Sequence, residues 1–403
     1  MPTRLGLGQR GTFWSAAIVL ALCLWASGAP SVLYPVYAAE WHLPAVVTTS
    51  VFGVYPLALL VVLVLFGSLS DTIGRRRTML LGIALIAASA AVFALAPNVA
   101  FLYLGRVLQG LGTGFAIGAA SAALVENNYF SNPRVASTLT TVATSTGLTL
   151  ALIVSGALAQ LAPLPLVLSF VVLFVLSALA FLLIALTPRD RRVDAPRWRF
   201  SAPRPAPGIL RVFIVATLSV SAAYSVGAIF LSLGAQMARD FTGTTDLLVI
   251  GLVLGVSSFA IGVTALFLSR VPAHLSALIG AAISMAGLGL MALSSASGSI
   301  GLLLAWCVVG GIGYSFAFTG GLGLINRAAP AQHRGASLSL LYLFAYLFQA
   351  VTAIGAGALA TALGLETAVE LAAPLVGLLC AAVLVLGAVD LVATRSREAA
   401  EPA

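Results

Sequence analysis

Residues 67–80 read GSLSDTIGRRRTML. They place one acid, Asp71, and three consecutive arginines, Arg75, Arg76 and Arg77, between the apolar runs VFGVYPLALLVVLVLF and MLLGIALIAASAAVFALA. In a chain that is 61% hydrophobic and only 8% charged, so much charge at one point marks a boundary between two media. Soluble domains hold roughly 45–50% apolar residues, and a single soluble core stops growing near ~250–300 residues. The solvent for most of these 403 residues is therefore lipid.

A bilayer crossing takes about 20 apolar residues in a helix. Twelve runs qualify, at 13–38, 45–68, 78–96, 99–125, 135–160, 165–187, 209–238, 246–268, 274–294, 299–326, 336–362 and 369–393. The first follows Arg4 and Arg10 and contains ASGA, as a signal peptide would. It is too long for a signal's apolar core and eleven more runs follow, so it is expected to stay as an uncleaved first helix. Lysine is absent, and with the N-terminus inside, 18 of the 20 arginines fall on the cytoplasmic side. Arg239 lies outside and Arg106 within a span. This is the bias of the positive-inside rule, so the net charge of +8 reports topology rather than nucleic-acid binding. The expected location is a bacterial plasma (inner) membrane, multi-pass, with both termini cytoplasmic. Cys23, Cys307 and Cys380 lie in separate apolar runs, and His42, His274 and His333 are scattered. Neither a disulfide framework, a metal site nor a cofactor is expected.

The longest polar interruption, TPRDRRVDAPRWRFSAPRPAPG at 187–208, divides the spans six and six. GLGTGFA at 110–116 parallels GIGYSFA at 311–317, and NPRVASTL at 132–139 parallels QHRGASLS at 332–339. The nearly constant offset points to two copies of one six-helix unit in the same orientation. Such parallel repeats place a substrate site between the halves near the bilayer midplane. The expected organisation is an N-terminal bundle 1–187, a cytoplasmic linker 188–208 and a C-terminal bundle 209–403.

Twelve spans, a parallel repeat and the charged loop between spans 2 and 3 resemble the major facilitator superfamily over the whole chain. The family's pattern in that loop, G-x-L-x-D-x-x-G-R-[RK], is met by Gly67, Leu69, Asp71, Gly74, Arg75 and Arg76. The resemblance implies an all-α membrane fold with 6+6 pseudo-twofold architecture and a transporter that alternates access. It further implies a charge cluster of Asp71, Arg75 and Glu126, which ends span 4, latching the cytoplasmic side in the outward-open state. Gly74 permits the tight turn, and Gly67 would let a neighbouring helix approach closely. Arg76 and Arg77 also read simply as a topology anchor.

Arg106 lies about seven residues inside span 4, where a charge costs several kcal/mol unless paired or hydrated. Arg106, Gln109 and Gly110 resemble the R-x-x-Q-G motif of proton-coupled facilitators. A guanidinium does not deprotonate in proteins, so the role left to Arg106 is to tune a carboxylate or to hold a polar or anionic substrate group. The other reading is a side chain snorkelling to the outer surface. Span 5 carries GLTLALIVSG where drug/proton antiporters commonly show G-x-x-x-G-P-x-x-G-G; its small residues are mostly kept and its proline is missing. Tyr34, Tyr55, Tyr224, Gln236, Tyr314, Phe318, Tyr346 and Gln349 are candidate cavity residues, suiting amphipathic or hydrophobic solutes. No midmembrane carboxylate stands out for proton coupling; Glu40 or the Asp71/Glu126 pair would have to titrate. The expected function is proton-coupled efflux of a drug-like or secondary-metabolite compound by a monomer. Import of a small nutrient or metabolite is the alternative. An enzyme would need converging nucleophile, base or metal groups, and a receptor an added soluble domain; the sequence offers neither.

Overall fold

Lipid offers no hydrogen bonds, so an apolar segment within it must satisfy its backbone internally, as a helix does. The structure, a computed structural model, describes residues 7–67, 69–131, 134–188, 205–206 and 208–400, with backbone only at 134, 137, 269, 331, 332 and 393–400. Twelve helices long and apolar enough to cross a membrane occupy the twelve expected runs. They are α1 (Gln9–Trp41), α2 (Ala45–Phe66), α3 (Arg75–Ala94), α4 (Val99–Glu126), α5 (Thr138–Leu161) and α6 (Leu168–Ala185). The second six are α7 (Leu210–Thr242), α8 (Leu247–Phe267), α9 (Ala273–Ser297), α10 (Ile300–Ala328), α11 (His333–Leu363) and α12 (Leu365–Val392). No strand occurs among the described residues. Most of the expected linker lies outside the described residues, with its six arginines; so do Arg4 and the side chains of Arg134, Arg395 and Arg397.

Two boundaries differ instructively from the apolar runs. Helix α3 begins at Arg75, because Gly74 adopts φ +101°, a conformation other residues rarely take, and turns the chain at once. All three arginines therefore belong to the helix. Helix α1 is interrupted: a first segment Gln9–Gly28, a 3-10 turn Ser31–Leu33, then Tyr34–Trp41. Pro30 has no N–H to continue the hydrogen-bond ladder, so carbonyls at the end of the first segment are left for other donors.

The packing repeats with the sequence. In the first half α3 packs on α4 and α6, and α1 and α2 on α4, with α1 also on α5; in the second, α9 packs on α10 and α12, and α7 and α8 on α10, with α7 also on α11. The duplicated glycines make duplicated contacts. A Cβ at Gly110 of α4 would strike the Tyr55 carbonyl of α2, and one at Gly311 of α10 the Ser257 carbonyl of α8. The halves meet through α2 with α11 and α5 with α8, pairs that the same symmetry exchanges. This is the 6+6 pseudo-twofold architecture. The outward surface is apolar, with Leu182, Phe259, Leu378 and Val385 exposed as lipid requires, while small and hydroxylated residues fill the helix contacts.

Candidate functional site

Between the halves lies a cavity of about 350 Å³, within the size range of small-molecule sites. Tyr55, Tyr224, Tyr314, Phe318, Tyr346 and Gln349 line it, together with Ser27, Trp306 and a row of hydroxyls: Thr140, Thr141, Thr144 and Ser145 on α5, Ser257 and Ser258 on α8. No acidic or basic side chain is among its lining residues. On α4 the lining residues reach Ser121, near the helix end at Glu126, and on α5 they start at Thr140, near its beginning. The cavity thus extends from mid-depth toward the face that carries the α2–α3 loop.

Tyr34 and Gln236 are not in this cavity, contrary to the expectation from sequence. They line a separate one of about 250 Å³ toward the opposite face, with Arg239 and Asp240. The break in α1 carries Tyr34 beyond mid-depth, and Gln236 lies roughly 18 Å further along α7 than Tyr224. At the opposite face the halves are tied by hydrogen bonds. The Val46 N–H donates to the Thr361 hydroxyl at 2.8 Å (α2 to α11) and the Leu247 N–H to Gln160 Oε1 at 2.9 Å (α8 to α5).

Arg106 sits between the two cavities and is fully buried, which rules out snorkelling. Its Nε and Nη2 both donate to the Tyr34 hydroxyl, the Nε at 3.0 Å. Its Nη1 donates to the Ser27 carbonyl at 3.1 Å and to Gln109 Oε1 at 2.6 Å. The Ser27 carbonyl is available because α1 breaks just beyond it. Tyr34, Phe52 and Tyr55 present their rings 5.6, 5.8 and 5.7 Å from the guanidinium carbon, within cation–π range. No carboxylate pairs with Arg106 among the described residues. Glu40 is exposed at the far end of α1 and does not approach it. Gln109 Nε2 is buried without a partner. Ser27 and Tyr55 belong to the main cavity and Tyr34 to the second, so the guanidinium cluster forms the septum between them. Cys307 takes the corresponding place in α10, so the second half has no such charge.

The loop cluster assembles. Arg75 Nη1 lies 2.5 Å from Asp71 Oδ1, and Arg75 Nη2 3.0 Å from Glu126 Oε1; Nη1 also donates to the Ser70 hydroxyl. Asp71 and Glu126 are about half exposed, so each pair contributes only about 0–1 kcal/mol. All members belong to the first half, and the cluster is complete while the cavity extends toward the same face. Its formation alone does not seal that face. Arg76 donates to the Ile184 and Ala185 carbonyls at 3.1 and 2.6 Å, capping the end of α6. Arg77 is exposed. A Cβ at Gly67 would lie 4.0 Å from the Ser339 hydroxyl of α11, an ordinary contact rather than a forced close approach. In the second half, His274 Nε2 and Asp390 Oδ2 meet at 2.7 Å, tying α9 to α12 where Arg76 ties α3 to α6.

Sequence reasoning missed the hydroxyl row. The signal was present in TLTTVATST, where Thr140 and Thr144 are four apart and so share a helix face. It also missed His274 with Asp390, residues 116 positions apart that only the fold brings together.

The profile of the family described as Major Facilitator Superfamily matches residues 16–271. A lincomycin resistance protein of Streptomyces lincolnensis is 37% identical over 95 residues, 24% of this chain and 20% of the relative. An uncharacterized MFS-type transporter, EfpA, of Mycobacterium tuberculosis is 35% identical over 100 residues, 24% of this chain and 19% of its own. The chain thus spans only about a fifth of the length of the curated relatives it matches. Among solved structures, a bacterial homolog of the human lysosomal transporter Spinster, inward-facing and unoccupied, superposes with TM-score 0.71 at 13% identity, covering 94% of this chain and 97% of that one. The nucleoside transporter NupG gives TM-score 0.71 at 14% identity, covering 93% and 99%.

Proposed function

Because the chain belongs to the Major Facilitator Superfamily, a family of transporters rather than enzymes, we propose that it is a proton-coupled antiporter exporting drug-like or secondary-metabolite molecules. The bundles 1–187 and 209–403 rock about the central cavity, joined by a cytoplasmic linker at 188–208. The observation that carries this reading is the cavity itself. It is shared by both halves, aromatic and free of charge, extends toward one face, and is divided from the other by the Arg106–Tyr34 septum.

The export direction draws support from the local similarity to a lincomycin resistance protein. The arginine distribution supports cytoplasmic termini, which makes the main cavity cytoplasm-facing, and the bacterial relatives support an inner-membrane location. The protein works as a monomer, since each chain holds a complete cavity between its own halves. Asp71, Arg75 and Glu126, with Gly74 shaping the turn, brace the α2–α3 corner so that it can dock on the start of α11 when the cytoplasmic side closes, while Arg76 anchors the start of α3 to the end of α6. Arg106, with Gln109 and Gly110 on α4, couples cavity occupancy to the septum. The acids available to take up the proton are Asp71 with Glu126, and Glu40 at the other end of α1.

Purified protein in liposomes under an imposed pH gradient tests the proposal. Proton movement that requires both a substrate and Arg106 is the expected result. Substrate flux without proton movement would replace the antiporter with a facilitator, and accumulation in the direction of the gradient would make it an importing symporter.

A further inference from the structure

The cavity's walls carry chemical information beyond the direction of transport. We infer that its substrate is an uncharged molecule with two unlike parts, a flat aromatic ring system and a hydroxyl-rich, sugar-like appendage. This rests on the reading of the cavity as the transport site.

Charge is the first discriminator. None of the lining residues is acidic or basic. The nearby fixed charge, Arg106, is fully buried, and its N–H groups are engaged by Tyr34, Ser27 and Gln109. An organic anion entering such a site would lose its hydration with no counter-charge to replace it, and an organic cation would have only ring faces and neutral oxygens in exchange.

The second discriminator is the aromatic wall built by α7, α10 and α11. Tyr224 and Tyr314 lie 6.2 Å apart at 8°, Tyr224 and Phe318 6.0 Å apart at 13°, and Tyr314 and Phe318 5.9 Å apart at 21°. Tyr346 meets Tyr224 edge-on at 5.0 Å. These near-parallel rings give the wall aromatic surface against which a flat ring system gains offset stacking as well as area burial.

The third is a row of acceptor oxygens on α5. Thr140 donates its hydroxyl proton to the Ala136 carbonyl at 2.9 Å, Thr144 to the Thr140 carbonyl at 2.9 Å, and Ser145 to the Val142 carbonyl at 3.1 Å. With their protons spent on their own helix, these oxygens offer the cavity lone pairs only. Gln349 lines the same cavity, is only 9% exposed, and has a buried Oε1 without a partner. Unmet buried polar atoms are rare in folded proteins, and these acceptor oxygens favour a ligand that brings hydrogen-bond donors. Hydroxyl groups supply such donors without adding charge.

The test uses one ring system with its substituent varied: 2-naphthyl β-glucoside, 2-methoxynaphthalene, a naphthylmethyl-trimethylammonium salt, 2-naphthalenesulfonate and free glucose. Binding to the purified full chain in detergent is measured by calorimetry without any gradient, with empty micelles subtracted. The glucoside is expected to bind at least tenfold more tightly than either charged analogue and than glucose. Gln349→Leu should weaken the glucoside by about two- to tenfold, one neutral hydrogen bond, and leave 2-methoxynaphthalene unchanged. A charged analogue that binds as well as the glucoside overturns the inference. So does a glucoside no tighter than 2-methoxynaphthalene, or no binding by any member of the set. Glucoside binding without proton movement in liposomes would refute the coupled-antiporter reading and leave this inference standing; coupled transport confined to organic cations would do the reverse.

Discussion

Replacing Arg106 with methionine removes a buried charge from the first third of α4 while keeping most of the side chain's length and apolar volume. Holding a guanidinium inside a membrane helix costs up to about 2.5–3.5 kcal/mol on insertion scales, and no carboxylate among the described residues offsets it. What offsets it is donation to Tyr34 and Ser27 of α1, at about 0.6 kcal/mol per interhelical hydrogen bond in a membrane, and to Gln109 within α4. Three aromatic faces add about 0.5–1 kcal/mol each. The opposing contributions nearly cancel. Arg106→Met should therefore change the stability of the fold by no more than about 2 kcal/mol, a shift of at most roughly 5 °C in the unfolding midpoint. Transport should nonetheless be lost, because Tyr34 is no longer held at the septum. The assay pairs thermal unfolding in detergent with substrate flux in liposomes at matched protein density. A stability loss above about 4 kcal/mol, the size of a core truncation, would make Arg106 a structural keystone and refute the balance. Wild-type flux would remove it from the mechanism.

Asp71→Asn should weaken the α2–α3 corner, so that cysteine probes placed in the main cavity react faster from the cytoplasmic side; unchanged reactivity would argue against the latch. Arg76→Ala removes the cap on the Ile184 and Ala185 carbonyls, and is expected to lower stability by about 1 kcal/mol while leaving flux per folded molecule unchanged, read by unfolding and transport together. Gly110→Val would push a branched side chain into the Tyr55 carbonyl. It should cost about 1–3 kcal/mol and abolish binding by moving α2, whereas the same change at the open position Gly118 should cost far less. Combining Gln160→Ala with Thr361→Val deletes two ties between the halves. Probes in the small cavity should then become more reactive from outside, and no change would mean that apolar packing alone closes that face.

Much of the architecture was legible in order along the chain. A run of about 20 apolar residues has one stable form in lipid, so each helix appeared within a few residues of its apolar run. Repeated glycines announced repeated helix contacts, and Gly110 and Gly311 make them. Where Pro30 and Gly74 overrode the pattern, breaking α1 and starting α3 at Arg75, local backbone chemistry outweighed hydropathy. The pairing of Arg75 with Glu126 was anticipated because both end their segments at one face, a matter of topology.

Contacts that depend on which way a helix is turned were a different matter. Composition allowed Arg106 either to reach a surface or to be buried; rotation of α4 toward the break in α1 decided for burial among Tyr34, Ser27 and Gln109. Tyr34 and Gln236 had the right residue types for the main cavity, and their depth in α1 and α7 put them in another. Thr140 and Thr144 share a helix face by spacing, and only the packing of α5 turns that face to the cavity. The sequence by itself determined how many times the chain crosses lipid and that it does so twice over, because hydropathy and duplication are properties read along the chain. The tertiary structure alone decided which polar groups meet, because that depends on helix rotation, depth and breaks between residues as distant as His274 and Asp390.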